Sequence, residues 1–158
     1  MSLNIRRVVT GHDDQGRAKV LTDEMVKNVT SPRPGAHYSV IWSSEGFPVS
    51  NDGSTDPSGK KIGTTIPNGT VFRIVSFGPG VSPRNHRTDS IDYAVVISGE
   101  IDMDLDGTTV HLKAGDVLVQ RGTIHNWINK GTEPCVIAFT LVSAKSVSVG
   151  GKTLAAQG

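Results

Sequence analysis

From Asp92 onward the chain alternates apolar and polar positions in short runs, each cut off by a glycine, proline or aspartate turn. Period two marks a half-buried strand, because successive side chains on an extended backbone point to opposite faces. Asp92 to Ser98 reads as one such strand. Ser98-Gly99-Glu100 turns it into Ile101 to Leu105, and Asp106-Gly107, whose residues tolerate positive φ, signals a hairpin back into Thr108 to Leu112. Ala114-Gly115 turns again into Asp116 to Gln120. His125 to Asn129 and Pro134 to Val142 complete the series. Strands this short bury one side only by closing or by packing face to face, so the chain is expected to be all-β.

Upstream the pattern is less regular. Ile5 to Thr10 is β-rich and can pair with Ala18 to Leu21 as a hairpin. Thr22 to Val29 is ambiguous, because Thr22 could cap a two-turn helix with Asp23 and Glu24 in its first turn. Tyr38 to Trp42 and Thr70 to Phe77 are strands. Between them, Ser43 to Gly69 is dense in Gly, Ser, Pro, Asn, Asp and Thr, with Phe47, Pro48, Ile62 and Ile66 as scattered apolar anchors. A loop of that length is either a solvated insertion or a flap over the barrel mouth that stiffens when a ligand binds. The tail after Ser143 is small and polar, with an edge strand expected at Lys145 to Val149 and a frayed end.

Two ordered motifs lie within Gly80 to Asn129. Gly80, five residues, His86, one residue, Thr88, three residues, Asp92, six residues and Gly99 form the first. Gly115, four residues, Gln120, Arg121, Gly122, two residues, His125, three residues and Asn129 form the second, fifteen residues after Gly99. This region resembles the cupin superfamily, whose motifs are G-x5-H-x-H-x3,4-E-x6-G and G-x5-P-x-G-x2-H-x3-N. Thr88 stands in place of the second His, Asp92 of the Glu and Gln120 of the Pro, and the second motif is one residue short. The resemblance implies a cupin-type double-stranded β-helix, a jelly-roll-like barrel over about 69–144. Residues 1–68, with loop 43–69, would add N-terminal strands, and 145–158 a tail, all in a single domain of 1–158.

Composition fits one core: 158 residues suffice to bury most of their apolar surface. Sixteen Lys plus Arg against fifteen Asp plus Glu leave no net field for nucleic acid or an anionic membrane. No apolar run reaches membrane-spanning length, and Met1 to Thr10 lacks a signal-peptide core, so a cytoplasmic protein is expected. Cys135, the single cysteine, excludes an intrachain disulfide and reads as a buried small hydrophobe. The N-terminal strands offer β-branched edges, Val8, Val9, Val40 and Ile41, that predict a homodimer.

The chemistry turns on which side chains share the inner face. Period two, with one bend, brings in His86, Thr88 and Asp92 from one side and His125, Trp127 and Asn129 from the other. Two imidazoles and a carboxylate match a facial-triad ligand set, so His86, Asp92 and His125 are the candidate metal ligands for Fe, Mn, Zn or Ni. The alternative is a metal-free site with His125 as base, Asp92 orienting it or His86 as acid. Thr88 is a poor ligand and a better hydrogen-bonding partner for bound water or substrate. Trp127 offers an aromatic wall, whereas Trp42 fits core filler. Arg73 is either an exposed edge charge or a carboxylate-binding group, and exposure is expected because a buried Arg needs a partner. His12, His37 and His111 have no motif around them. The resemblance implies a small-molecule enzyme of decarboxylase, dioxygenase, isomerase or dehydratase type acting on a small organic acid or carbonyl compound. A non-catalytic ligand-binding or sensor cupin is the alternative.

Overall fold

A computed structural model describes residues 3–158, and among them no helix forms. The chain opens with the hairpin of β1 (Arg6–His12) and β2 (Ala18–Met25), then β3 (Val29–Arg33), β4 (Ala36–Glu45) and β5 (Gly69–Phe77). It continues through β6 (Ser90–Ser98), β7 (Glu100–Asp104), β8 (Thr109–Lys113) and β9 (Val117–Arg121). β10 (Asn126–Ile128), β11 (Cys135–Ser143), β12 (Val147–Val149) and β13 (Lys152–Leu154) follow. A six-stranded sheet in the order β3-β4-β5-β11-β6-β9 faces a three-stranded sheet in the order β10-β7-β8. Every pairing is antiparallel, giving the expected cupin-type jelly roll.

The core lies between the two sheets. Val71, Val96, Ile137 and Phe139 from the large sheet meet Ile101, Met103, Leu112 and Trp127 from the small one. Each such side chain contributes about 1.5–3 kcal/mol on burial. Gly99, at the β6–β7 corner, has φ of 74°, and a Cβ there would collide with the Pro134 carbonyl and approach Cys135 Cα to 2.9 Å. Only glycine fits where β11 crosses that corner so closely. At the next turn Gly107 alone, not Asp106, takes positive φ.

The hairpin β1–β2 covers part of the large sheet's outer face, where Leu3 and Val26 close over Ile41 and Ile74. Arg7, 5% exposed, pins this layer: it donates to Ile41 O at 3.2 Å, to Glu24 at 2.7 Å and, with both terminal nitrogens, to Asp56. That pairing holds the Asp56 carboxyl well below the usual carboxylate range and fixes the middle of loop 46–68.

Several upstream expectations are corrected. Thr22 to Met25 is extended, since β1 supplies a partner for each residue and pairing overrides a two-turn helical preference. Tyr38 to Trp42 is no free edge: β4 is paired with β3 on one side and β5 on the other. The edge is β3, with Pro32 on it, an edge strand being a place where a missing N–H is tolerated. The tail is not frayed throughout, since Gln157 bridges Arg87 through reciprocal backbone bonds of 2.8 and 3.0 Å. Cys135 is fully buried, and burial pushes its thiol up to about 11.

Candidate functional site

The sheets enclose a cavity of about 300 Å³, at the small end of the range for ligand sites. Phe77, Trp127 and Phe139 form an aromatic wall, with Trp127 stacked 5.5 Å from Phe77 and edge-on at 5.8 Å to Phe139. Trp42 does not line it. Ile62, Gly63 and Thr64 do, so part of the long loop borders the cavity, and Ile62 and Ile66 pack on the core. Phe47, expected as another anchor, is 87% exposed.

His86 and His125 sit opposite each other in an isolated antiparallel bridge, each backbone N–H donating to the other's carbonyl at 3.0 Å. Their rings stand 4.2 Å apart. His86 Nδ1 lies 3.0 Å from Arg84 O and His125 Nδ1 lies 2.9 Å from Thr123 O. A carbonyl only accepts, so each Nδ1 carries the hydrogen and each neutral ring keeps its lone pair on Nε2. Burial, then the neighbouring His125, lowers the His86 pKa to about 4; burial also lowers that of His125. Both rings are therefore neutral at physiological pH.

Asp92 lines the same cavity from β6 but is not grouped with the imidazoles. Its Oδ1 accepts from Ser90 Oγ at 2.6 Å, and Ser90 Oγ in turn lies 2.8 Å from Thr88 Oγ1. Ser90 has spent its hydrogen on Asp92, so Thr88 donates to Ser90. Desolvation raises the Asp92 pKa against the opposing pulls of Ser90 and Arg73. Ser90 and Gln120, which faces Asp92 across the β6–β9 ladder, are site features with no assigned role in the sequence reading.

Arg73 is buried, 7% exposed, correcting the expected exposure. On β5 it shares a face with Val71 and Val75, and that face points inward. Its Nη2 donates to Gly63 O at 2.8 Å and Thr64 O at 3.0 Å, and its guanidinium carbon lies 4.8 Å from the centre of the Tyr38 ring. Neutral carbonyls and an aromatic face thus supply the partner that burial requires. Arg33 and Arg84, absent from the sequence reading, also line the cavity. Asn129 does not: its Nδ2 donates to Phe77 O at 2.8 Å and Glu133 O at 2.9 Å, and its Oδ1 accepts from Gly131 N at 2.9 Å. The motif asparagine, placed on the inner face by alternation, locks a turn instead of facing the cavity.

Residues 73–142 match the family model Cupin_2, a cupin domain. The chain is 37% identical over 156 residues to the cupin-domain-containing oxidoreductase fogC of Aspergillus ruber, across 94% of this chain and 77% of that one. The chain belongs to the cupin family. Phomopsin biosynthesis cluster protein C′ of Diaporthe leptostromiformis is 36% identical over 162 residues, across 94% of this cupin and 83% of that protein. The cupin domain of Schizosaccharomyces pombe Cnp3 shares the fold at TM-score 0.53 and 12% identity, with 87% of each chain covered.

Cupin resemblance implies a divalent metal, and the donor set can be tested against it. The two Nε2 atoms suit a metal, with their Nδ1–H groups oriented by backbone carbonyls as ligating imidazoles usually are. A third ligand is missing: among the described residues, no three His, Cys, Asp or Glu side chains are grouped to hold an ion. Thr88 in place of the second motif His, and Asp92 engaged by Ser90 away from the rings, leave the triad of His86, Asp92 and His125 unassembled.

Proposed function

We propose that this cupin is an enzyme that moves a proton on a small oxygenated organic molecule held in the cavity, with His86 and His125 as the acid–base pair. One observation supports this most: two facing neutral imidazoles, each with Nδ1 tied to a carbonyl and Nε2 left as the basic atom. A base near the aromatic wall removes a proton from carbon next to a carbonyl. The facing ring keeps the resulting imidazolium from being doubled, since two charges 4.2 Å apart in a dry site are costly. The proton then returns to a different atom of the substrate or to a leaving hydroxyl, giving isomerisation or dehydration. Asp92, which lines the same cavity, accepts a hydrogen bond from a substrate hydroxyl, and Thr88 holds Ser90 in place to support it.

The relatives favour a second reading, because fogC and others are named oxidoreductases. In that case the same base takes the hydroxyl proton of an alcohol while a hydride leaves its carbon for an electron-accepting co-substrate.

Proton NMR in deuterated water with a panel of small aldehydes, ketones and hydroxy acids separates the two. Deuterium wash-in at carbon without any electron acceptor supports proton transfer. His86→Ala or His125→Ala is expected to slow it by about 10²-fold or more. Wash-in unchanged in both variants overturns the assignment, and turnover only when an acceptor is added favours the oxidoreductase.

A further inference from the structure

Three guanidinium groups, Arg33, Arg73 and Arg84, border a cavity whose lining includes one carboxylate, Asp92. None of the ion pairs formed among the described residues includes any of the three. Arg33 and Arg73 are held by neutral oxygens instead: Arg33 Nε donates to Ser82 O at 2.9 Å and Arg73 to Gly63 and Thr64, while Arg84 Nη2 donates to Gly158 O at 2.8 Å. The carbonyl bonds orient the Arg33 and Arg73 forks without neutralising them.

Asp92 is one carboxylate against three guanidinium groups, so its attraction to Arg73 leaves the cavity lining net positive. Burial also favours the protonated form of that carboxyl. The Arg73 Nε–H, inside a residue 7% exposed, has no hydrogen-bond partner. An unpaired buried donor costs on the order of 1–3 kcal/mol, so this atom, too, calls for an acceptor from outside the chain.

We infer that the cavity takes a small organic anion, a carboxylate on a flat apolar body, with Arg33 and Arg84 gripping the carboxylate near Arg73 and the body lying on Phe77, Trp127 and Phe139. A planar carboxylate matches the guanidinium fork in two parallel bonds. The aromatic wall excludes a bare inorganic anion as the best fit, since most of its surface offers no hydrogen-bond donor. This names the substrate class for the proton-transfer reading above and rests on the same cavity, yet it concerns binding alone.

Benzoate, benzamide and inorganic phosphate, titrated separately against the full chain and followed by heat of binding, test it. Benzoate is expected to bind at least about tenfold more tightly than benzamide, its neutral isostere, and more tightly than phosphate. Arg84→Met and Arg33→Met, at half-buried positions, should each weaken benzoate about tenfold or more, and raised salt should weaken it further. The ranking is read from binding without any turnover, which separates this inference from the acid–base assignment. Benzamide binding as well as benzoate, phosphate binding more tightly than benzoate, or benzoate affinity unchanged in both arginine variants overturns the inference.

Discussion

The two faces of the large sheet reverse the usual distribution of charge and oil. Along β6, Asp92, Ala94 and Val96 point inward and are buried, while Tyr93, Val95 and Ile97 point outward and remain 45–50% exposed. On β9 the inward Gln120 is 3% exposed, yet Val117 and Val119 outside are 73% and 56% exposed. One backbone, by simple alternation, presents Asp92 and Gln120 to the cavity and aliphatic groups to water. Where β4, β5 and β11 pass under the N-terminal hairpin, the outer face is covered by Leu3 and Val26. The covered half shows what an apolar outer face does when it has a partner. The bare half lacks one among the described residues, and we propose that the homodimer expected from the sequence forms there rather than on β4, whose edges are both used.

The sharpest break of this comparison comes from neighbouring positions on opposite faces. Phe139→Ala, inside, should cost about 3–5 kcal/mol, and Tyr93→Ala, outside, less than about 1 kcal/mol in urea unfolding of the isolated chain. Equal losses would mean the outer face is packed as tightly as the core.

Arg73→Met should cost about 2 kcal/mol, because Gly63 O and Thr64 O lose their donor. Hydrogen exchange in 62–66 should quicken, while the β1–β2 hairpin stays unchanged. If exchange in the loop does not move, Arg73 does not hold it.

Acid should weaken the inner face selectively. His86 has a folded pKa of about 4 against 6.5 for the free side chain, so the unfolded chain binds the proton first. The stability this lends is complete above pH 6.5 and is lost as pH falls toward 4. After allowance for solvent screening it is on the order of 2 kcal/mol. His86→Gln should flatten that slope in melts between pH 7 and 4, and an unaltered slope would contradict the burial argument.

The smallest effect per residue lies on the outer face. Light scattering at micromolar concentration should give twice the 16.7 kDa chain mass, and Val117→Lys with Val119→Lys should return it to 16.7 kDa. Each exposed valine contributes about 1 kcal/mol or less to such a contact. A single 16.7 kDa species for the unaltered chain would leave the bare half without this partner.

Much of the barrel was legible because its strands alternate cleanly between glycine-marked turns. Motif spacing likewise pointed to His86, Thr88, Asp92, His125 and Trp127, all of which line the cavity. Three things escaped. Asn129 matches its motif, yet spacing cannot tell a side chain that faces a ligand from one that ties a turn. Arg33 and Arg84 lie on a short edge strand and in the irregular segment between β5 and β6, where no periodicity assigns a face; only tertiary packing brings them to the cavity. Arg73 had the right alternation, but no partner for a buried arginine was visible in the sequence, and the partners are main-chain carbonyls of the loop. Residues 22–25 were undecidable locally, since their partner strand alone selects the extended form.

Arg73 reaches the loop through two main-chain oxygens, and a main-chain oxygen is the same whichever residue carries it. The side chain of Thr64 is therefore free to change over evolutionary time without undoing the attachment. One wall of the cavity can drift in shape and polarity while its position stays fixed. Among homologous chains keeping this arginine, divergence in ligand choice should concentrate in that wall, with the imidazole pair left untouched.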